Sequence, residues 1–443
     1  MFDLFAYLNC SHSPVVEDAW RDDAHEQPDG YRDLAFWTGL AERLEAGGFT
    51  GAFFADAYNV ANAYEDSIAA TVRRGEQFPE NDPLPVLSAM AAVTDRLGLV
   101  STASVSLYPP YLLAKKLSTL DDLTDGRLGW NVVTSSGELE FENVREGYVP
   151  HDERYELADE YLRVCYALWE DSWDDGAVRR DRATGQYADP DGVSFVNHDG
   201  DYFTVPGPHM TAPTPQRTPV VFQAGQSDRG RTFAARHAEA MFSFHLSVGG
   251  FADYADDVTR RAREVGRERD AFRLYPAVTP YVAETRSAAE ARRRRVIDLV
   301  EPETGLVRLS NHLGHDYAQY DHDEPLTAID SEGIRGALRA FLDDDRTWTV
   351  GEAAVRYARY PTAELVGTPE TVADELAAWG EAGADGFVVM APFVPASFEA
   401  VADRLVPELR DRGLLADPEP GQTLRETLFG HARLDPDRPA RQE

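Results

Sequence analysis

The stretch GRLGWNVVTSS, residues 126–136, decides how the rest of the chain reads. The seven residues from Arg127 to Val133 have the composition of a buried strand and run directly into Thr134, Ser135 and Ser136. Inside that apolar run sits Asn131. A buried amide left without a partner costs roughly 1–3 kcal/mol, so Asn131 must meet either protein or a ligand.

Outward from this strand the same rhythm repeats. Strand-like segments at 2–8 (FDLFAYL), 49–56 (FTGAFFAD) and 98–104 (GLVSTAS) precede it, and each is followed by a helical pattern. Phe36, Leu40 and Leu44 recur at helical spacing before Gly47 and Gly48, residues 83–95 open a helix on proline, and 111–123 and about 152–170 are helical. Strands then recur at 218–225, 240–246, 272–284 and 385–392, again separated by helical stretches. Eight apolar strands, each followed by a helix, predict a (β/α)8 TIM barrel over residues 1–413. Residues 171–218 and 301–366 break the rhythm and read as two insertions, the first of loops with a hairpin and the second a lid. The Pro-, Asp- and Arg-rich tail, 414–443, is expected to wrap a neighbouring molecule or to be mobile. A doubly wound sheet would need a glycine-rich fingerprint after the first strand, and SHSPVV supplies none.

Composition narrows the function. The chain carries 77 acidic against 43 basic residues, a net charge of −34, and Lys115 and Lys116 are its only lysines. Self-repulsion of that size is screened in molar salt, where the Debye length falls to ~3 Å, so a cytoplasmic protein of a salt-adapted organism is expected. The charge argues against nucleic acid and anionic membranes as partners. Cys10 and Cys165 form no CxxC pair, no segment approaches the ~20 apolar residues of a membrane span, and the start MFDLFAYLN lacks a signal-peptide pattern.

In a barrel the reactive groups gather at the carboxyl ends of the strands. Those ends carry Asn9 and His12, Asp56, Thr102 and Ser104, Asn131 with Thr134 to Ser136, and Gln223 with Gly225 to Ser227. Hydroxyls and amides outnumber strong acids and bases, which suits holding a polar, polycyclic or phosphorylated ligand. AGQSDRGR, 224–231, is a glycine turn opening a helix, where free N–H groups favour an anion, with Arg229 and Arg231 nearby. Ser227 or Asp228 equally serves there as a plain N-cap. His312, His315 and His322 in HLGHDYAQYDH fit no metalloprotease helix, and no metal is expected. His151 sits at the barrel mouth, and His237 packs or caps within a helix. A glycoside hydrolase would need two strand-end acids about 5–10 Å apart, and only Asp56 is clearly placed.

With these residues in view, the chain resembles the flavin-dependent monooxygenases of the bacterial luciferase-like superfamily, in the branch of the nitrilotriacetate, EDTA and dibenzothiophene-sulfone monooxygenases. FFAD at 53–56, the run 101–135 ending in GRLGWNVVTS, HDERYELADEYLRVCYALWEDSW at 151–173, and the stretches 185–208, 219–242 and 366–376 carry the resemblance. It implies FMN contacts at Asp56, Ser104, Asn131, His151, Tyr155 and Ser227, with Thr102 on the same strand face as Ser104. The implied chemistry is reduced FMN plus O2 giving a C4a-(hydro)peroxyflavin that oxygenates a small organic substrate containing nitrogen or sulfur. A separate NAD(P)H:flavin reductase would supply the reduced FMN, and a homodimer or tetramer is expected. The alternatives are an F420-dependent oxidoreductase on the same fold and a non-catalytic flavin-binding protein. The family's Trp-Arg-His-Pro or Trp-Arg-Tyr-Pro segment appears as AWRDDAHEQP, 19–28, matching at Trp20 and Arg21 alone. His12 and His25 are the candidates for substrate-side catalysis.

Overall fold

The computed structural model describes all of residues 1–443 except 136, 145–146, 328–340, 342–345, 416–417, 437 and 443. Among the described residues nine parallel strands form the central sheet: β1 (Asp3–Leu8), β2 (Gly51–Phe54), β3 (Gly98–Ser104), β4 (Leu128–Val133), β5 (Val220–Gln223), β6 (Ala240–Ser243), β7 (Arg273–Val282), β8 (Ala363–Gly367) and β9 (Gly386–Val389). Each of β1 to β6 pairs with the next, β6 pairs with the lower half of β7, β7 with β9, and β9 with β1, so eight strands close the barrel. Those eight are the strands expected from sequence. The ninth, β8, falls within the second expected insertion and pairs with Val278–Val282 at the upper end of β7.

Alternation of side chains along each strand builds two apolar layers. Phe5, Phe53, Val100 and Phe222 point into the barrel, whereas Leu4, Phe54, Trp130 and Val132 point out against the helices. Trp130 Nε1 donates to the Ala103 carbonyl at 3.1 Å, so the outward indole is satisfied. Inward neighbours approach the backbone of Gly129 so closely that an added Cβ would lie 2.9 Å from Phe222 and from Val100.

The helices that cover the barrel are α1 (Leu34–Ala46), α2 (Pro83–Ala91), α3 (Pro110–Leu123), α4 (His151–Tyr166), α5 (Asp228–His237), α6 (Val248–Glu264) and α7 (Arg286–Leu299). The first insertion forms two short antiparallel pairings, Val178–Asp181 with Gln186–Ala188 and His198–Asp199 with Thr204–Val205. The second is helical as well as looped, with α8 (Pro302–Leu313) packed on α9 (Val350–Tyr357) over an apolar cluster of its own. Gly305 permits that packing, because a Cβ there would collide with the Ala354 carbonyl. Further helices run over Pro369–Glu381 and over 396–411, the latter with a π turn at Val401–Leu405.

The described part of the tail packs on its own barrel. Its helix Leu424–Phe429 plugs the amino-terminal mouth of its own barrel, with Leu424 and Leu428 in the inner apolar cluster. Arg425 anchors it: the guanidinium is fully buried, donates to Glu239 at 2.8 and 3.0 Å, and also reaches the Thr218 carbonyl. Burial alone would raise the Glu239 carboxyl, but Arg425 overrides it and holds that group at about 2. Removing one partner of such a pair strands a buried charge. Arg425→Leu is expected to cost about 3–5 kcal/mol in denaturant unfolding. The folded Glu239 value lies below the ordinary 4.5. Its contribution is therefore complete above that pH, disappears as pH falls toward 2, and should be absent from the variant's stability profile.

Candidate active site

A cavity of about 250 Å³ opens at the carboxyl ends of the barrel strands. Its inner wall is aromatic, with Tyr7, Phe53, Phe242, Phe244 and Tyr360. Asp56, Thr102, Asn131 and Ser135 give it a polar edge. The β3–β4 register sets Thr102 opposite Asn131, and both point inward. Asn131 Nδ2 donates to Thr102 Oγ1 at 2.8 Å, and Thr102 Oγ1 donates to the Phe54 carbonyl at 2.8 Å. Asn131 lines the cavity, and its buried Oδ1 has no hydrogen-bond partner among the described residues. The nitrogen of the Asn131 amide is thus paired with protein, while its oxygen is buried unpaired in a residue that lines the cavity.

Ser104 lies one turn of the pleat beyond Thr102, on the same face. Its Oγ accepts from Ser135 Oγ at 2.9 Å and from the Ser106 N–H at 3.3 Å. Ser135 in turn lines the cavity, and Ser136 lies outside the described residues. Burial pushes the Asp56 carboxyl up to about 7, against a hydrogen bond from Tyr58, with the Asp82 charge adding to the rise.

A second polar cluster forms where α4 meets α5. His151 Nε2 lies 3.4 Å from Ser227 Oγ, and Ser227 caps α5 by accepting from the Gly230 N–H at 3.1 Å. The Tyr155 hydroxyl stands over the glycine turn: a Cβ on Gly230 would lie 2.9 Å from it and one on Gly225 3.1 Å. His151 and Tyr155, four apart on one helix face, therefore meet Ser227 across a cradle that only glycines leave open. The sequence expectation brought Arg229 and Arg231 to this cluster. The Arg229 charge acts on Tyr155 while its guanidinium lies 3.8 Å from Glu156, whereas Arg231 turns to Asp257 at 3.2 Å.

The two candidate catalytic histidines lie elsewhere. Neither is among the residues lining the cavity. His12 Nε2 pairs with Glu17 at 3.1 Å, which raises the imidazole above its ordinary value despite burial. His25 has both ring nitrogens engaged, Nε2 with the His12 carbonyl and Nδ1 accepting from the Val394 N–H, each at 2.9 Å, and burial lowers it to about 4.

Sequence reading missed the opposite wall, which comes from α8, the segment before β8 and the connection between β2 and α2. His312, Asn311, Gln77 and Tyr360 line the cavity there. His312 Nδ1 is 2.7 Å from the Tyr357 hydroxyl, and burial with the nearby Arg308 charge lowers the imidazole to about 3, so it is neutral at pH 7. Tyr360 holds φ of +60°, an uncommon conformation for an aromatic residue. Its ring stacks on Phe244 at 9° and lies 4.5 Å from the Arg308 guanidinium, while Gln77 Nε2 donates to its hydroxyl at 3.3 Å. Arg308 is fully buried and pinned by Glu17 at 2.7 Å and Glu76 at 2.8 Å, which ties α8 to the barrel loops. The helical spacing of Leu306, Leu309 and Leu313 was the available signal for α8, within a segment that reads as a loop-like insertion.

A barrel with this polar ring matches the model of the luciferase-like monooxygenases over residues 17–386. The chain belongs to that family. It is 40% identical over 430 residues to dimethyl-sulfide monooxygenase of Hyphomicrobium sulfonivorans, covering 96% of this chain and 89% of that protein. The crystal structure of a long-chain alkane monooxygenase superposes with a TM-score of 0.91 at 37% identity, covering 99% and 98% of the two chains. A riboflavin lyase crystallised with modified FMN and riboflavin gives 0.92 at 32%, covering 99% and 98%. Dibenzothiophene-sulfone monooxygenase of Rhodococcus erythropolis and nitrilotriacetate monooxygenase component A of Aminobacter aminovorans are each 35% identical, with at least 94% of both chains covered, so the expected branch holds. As a family member the chain is an enzyme, a flavin-dependent monooxygenase. Among the described residues no helix is long and apolar enough to cross a membrane.

The raised Asp56 value has a measurable consequence. Its folded pKa exceeds the ordinary 3.8, so the folded state gains protons there and loses stability as pH rises from about 4 to about 7. Asp56→Asn is expected to match the wild type near pH 4 and to exceed it by about 2 kcal/mol at about pH 8, less than the full shift because part of the carboxyl meets solvent. Urea unfolding at the two pH values checks this.

Proposed function

We propose that this chain is the oxygenase component of a two-component system that receives reduced FMN from a separate NAD(P)H:flavin reductase. It uses O2 to oxygenate a small organic substrate containing sulfur or nitrogen. The observation that carries the reading is the buried, unpartnered Oδ1 of Asn131 at the cavity edge. A buried acceptor without a donor is costly, and the N–H edge of a planar ring laid across the strand ends relieves that cost.

The residues present fit FMN at both of its ends. Asp56, Thr102, Asn131 and Ser104 would hold the ring system, with Ser104 acting through Ser135. Tyr155, His151 and Ser227 would hold the phosphate over Gly225 and Gly230, where hydroxyl, imidazole and the start of α5 offer donors. Bound reduced FMN supplies the activation of O2 and the transfer of one oxygen atom to the substrate.

The chain's own contribution is orientation and exclusion of water. The aromatic wall from Tyr7 to Tyr360 keeps the inner end of the cavity apolar. His312, neutral and bonded through Nδ1 to Tyr357, presents an uncharged imidazole on the substrate side. The α8–α9 insertion contributes Asn311 and His312 to this side, where it would act as a lid. Relatives named for dimethyl sulfide, dibenzothiophene sulfone and nitrilotriacetate support the substrate class, and the designation "component A" supports a partner reductase.

Anaerobic titration of the purified protein with reduced FMN, oxidised FMN and F420, followed by fluorescence, tests the reading. Saturable reduced-FMN binding is expected, weakened at least tenfold by Asn131→Leu, about 1.4 kcal/mol. Ser227→Ala should weaken FMN more than riboflavin, because riboflavin lacks the phosphate. Admitting O2 with a dialkyl sulfide or a tertiary amine should then give product in place of peroxide. Selective binding of F420, or no flavin binding at all, would overturn the proposal.

A further inference from the structure

On the outer side of the second insertion, away from the cavity residues, a cleft of about 560 Å³ is lined by Arg293, Arg346, Arg356 and Arg359. Four guanidiniums gathered on one surface are notable in a chain with a net charge of −34. Arg346 is spent on Glu352 and on the Trp348 ring, 4.2 Å away. The other three share one carboxylate, Glu364, at 2.5 Å from Arg293, 3.4 Å from Arg359 and 4.0 Å from Arg356. Asp323 and Glu352 also line the cleft, so with Glu364 the four arginines exceed the carboxylates by one charge.

Hydrogen bonding leaves the same deficit. Arg359 is 5% exposed, yet its Nε and Nη1 have no partner among the described residues. The Tyr281 hydroxyl, buried in the field of these same three arginines and Glu364, is also unpaired. Buried guanidinium N–H groups without acceptors are rare, because each forfeits its hydration. The start of α9 adds no free donors to the cleft. Its N–H groups at Val350, Gly351 and Glu352 already donate to Glu324, His322 and Thr349.

We propose that Arg293, Arg356 and Arg359 form a binding site for an oxyanion of phosphate size, separate from the flavin site. A tetrahedral or carboxylate oxyanion supplies several acceptors at once, matching the planar N–H forks of arginine. The site also reaches the active cavity through the backbone. Arg356 donates to the carbonyls of Tyr360 and Thr362, so it braces the segment whose Tyr360 ring forms the cavity wall. An anion that neutralises the cluster would hold Arg356 in this position.

Calorimetric titration of the FMN-saturated protein with inorganic phosphate tests the site, because saturating FMN removes the Tyr155–Ser227 cluster from competition. One saturable phosphate site is expected, with affinity lowered at least tenfold by Arg359→Gln and by Arg293→Gln. The Arg293 side chain is 40% exposed, so its variant remains informative if the buried Arg359 variant does not fold. Phosphate should also raise the melting temperature of the wild type but not of Arg293→Gln. Absence of saturable phosphate binding, or equal affinity in folded variants and wild type, would overturn the proposal. So would a site that takes chloride and refuses phosphate.

Discussion

The pairing of β3 with β4, in which Thr102 faces Asn131 across two parallel strands, is the constraint on which the rest depends. Side chains alternate strictly along a strand, so fixing one inward position fixes all of them. With Asn131 inward, Trp130 and Val132 must point out into the helical layer, and Gly129 must admit Phe222 and Val100. A slip of one residue would bury the amide among helices and turn the indole into the barrel. The same register sets the height of Thr102, and through its bond to the Phe54 carbonyl it fixes the end of β2, from which Asp56 projects. The polar edge of the cavity is therefore a consequence of strand pairing, with loops adding to it.

This dependence explains why the fold and one side of the site were legible in the sequence. Eight strands carry apolar runs, five of them with polar residues at their carboxyl ends, and local pattern is enough to find them. β8 was not legible: only five residues long, its sequence AELVG places Glu364 among apolar neighbours, because that carboxylate serves an arginine cluster rather than a core. The Tyr360 wall escaped for a similar reason. Its place depends on a left-handed backbone residue and on Arg308, which bonds Glu17 and Glu76, each more than 200 positions away in the chain. Nothing local announces such a contact.

Charge partners were the least legible feature. Arg229 and Arg231 lie beside the glycine turn in sequence, yet each faces a carboxylate, and the tail's Arg425 lies under the barrel bonded to Glu239. Sequence gives the sign of a side chain but not the partner that three-dimensional proximity selects. The same holds for His12 and His25, near the expected strand end by number but bonded to Glu17 and to backbone groups.

Arginine's dominance over lysine acquires a structural meaning from these partners. Arg127, Arg308 and Arg425 are buried, and each bonds several backbone or carboxylate oxygens at once. A guanidinium presents five donors in a plane, whereas an ammonium offers three on a compact, strongly hydrated charge, so lysine could not replace these clamps. The remaining surface is overwhelmingly acidic and repels a phosphorylated ligand at long range, the more so in dilute salt. Recognition of any such ligand must then rest on short-range geometry. In the proposed flavin site, hydroxyls, an imidazole and a glycine cradle act at hydrogen-bond distance, where salt screens little. In the arginine cleft, a local excess of guanidinium does the same. Both sites thus separate the affinity for an anion from the field of the whole molecule.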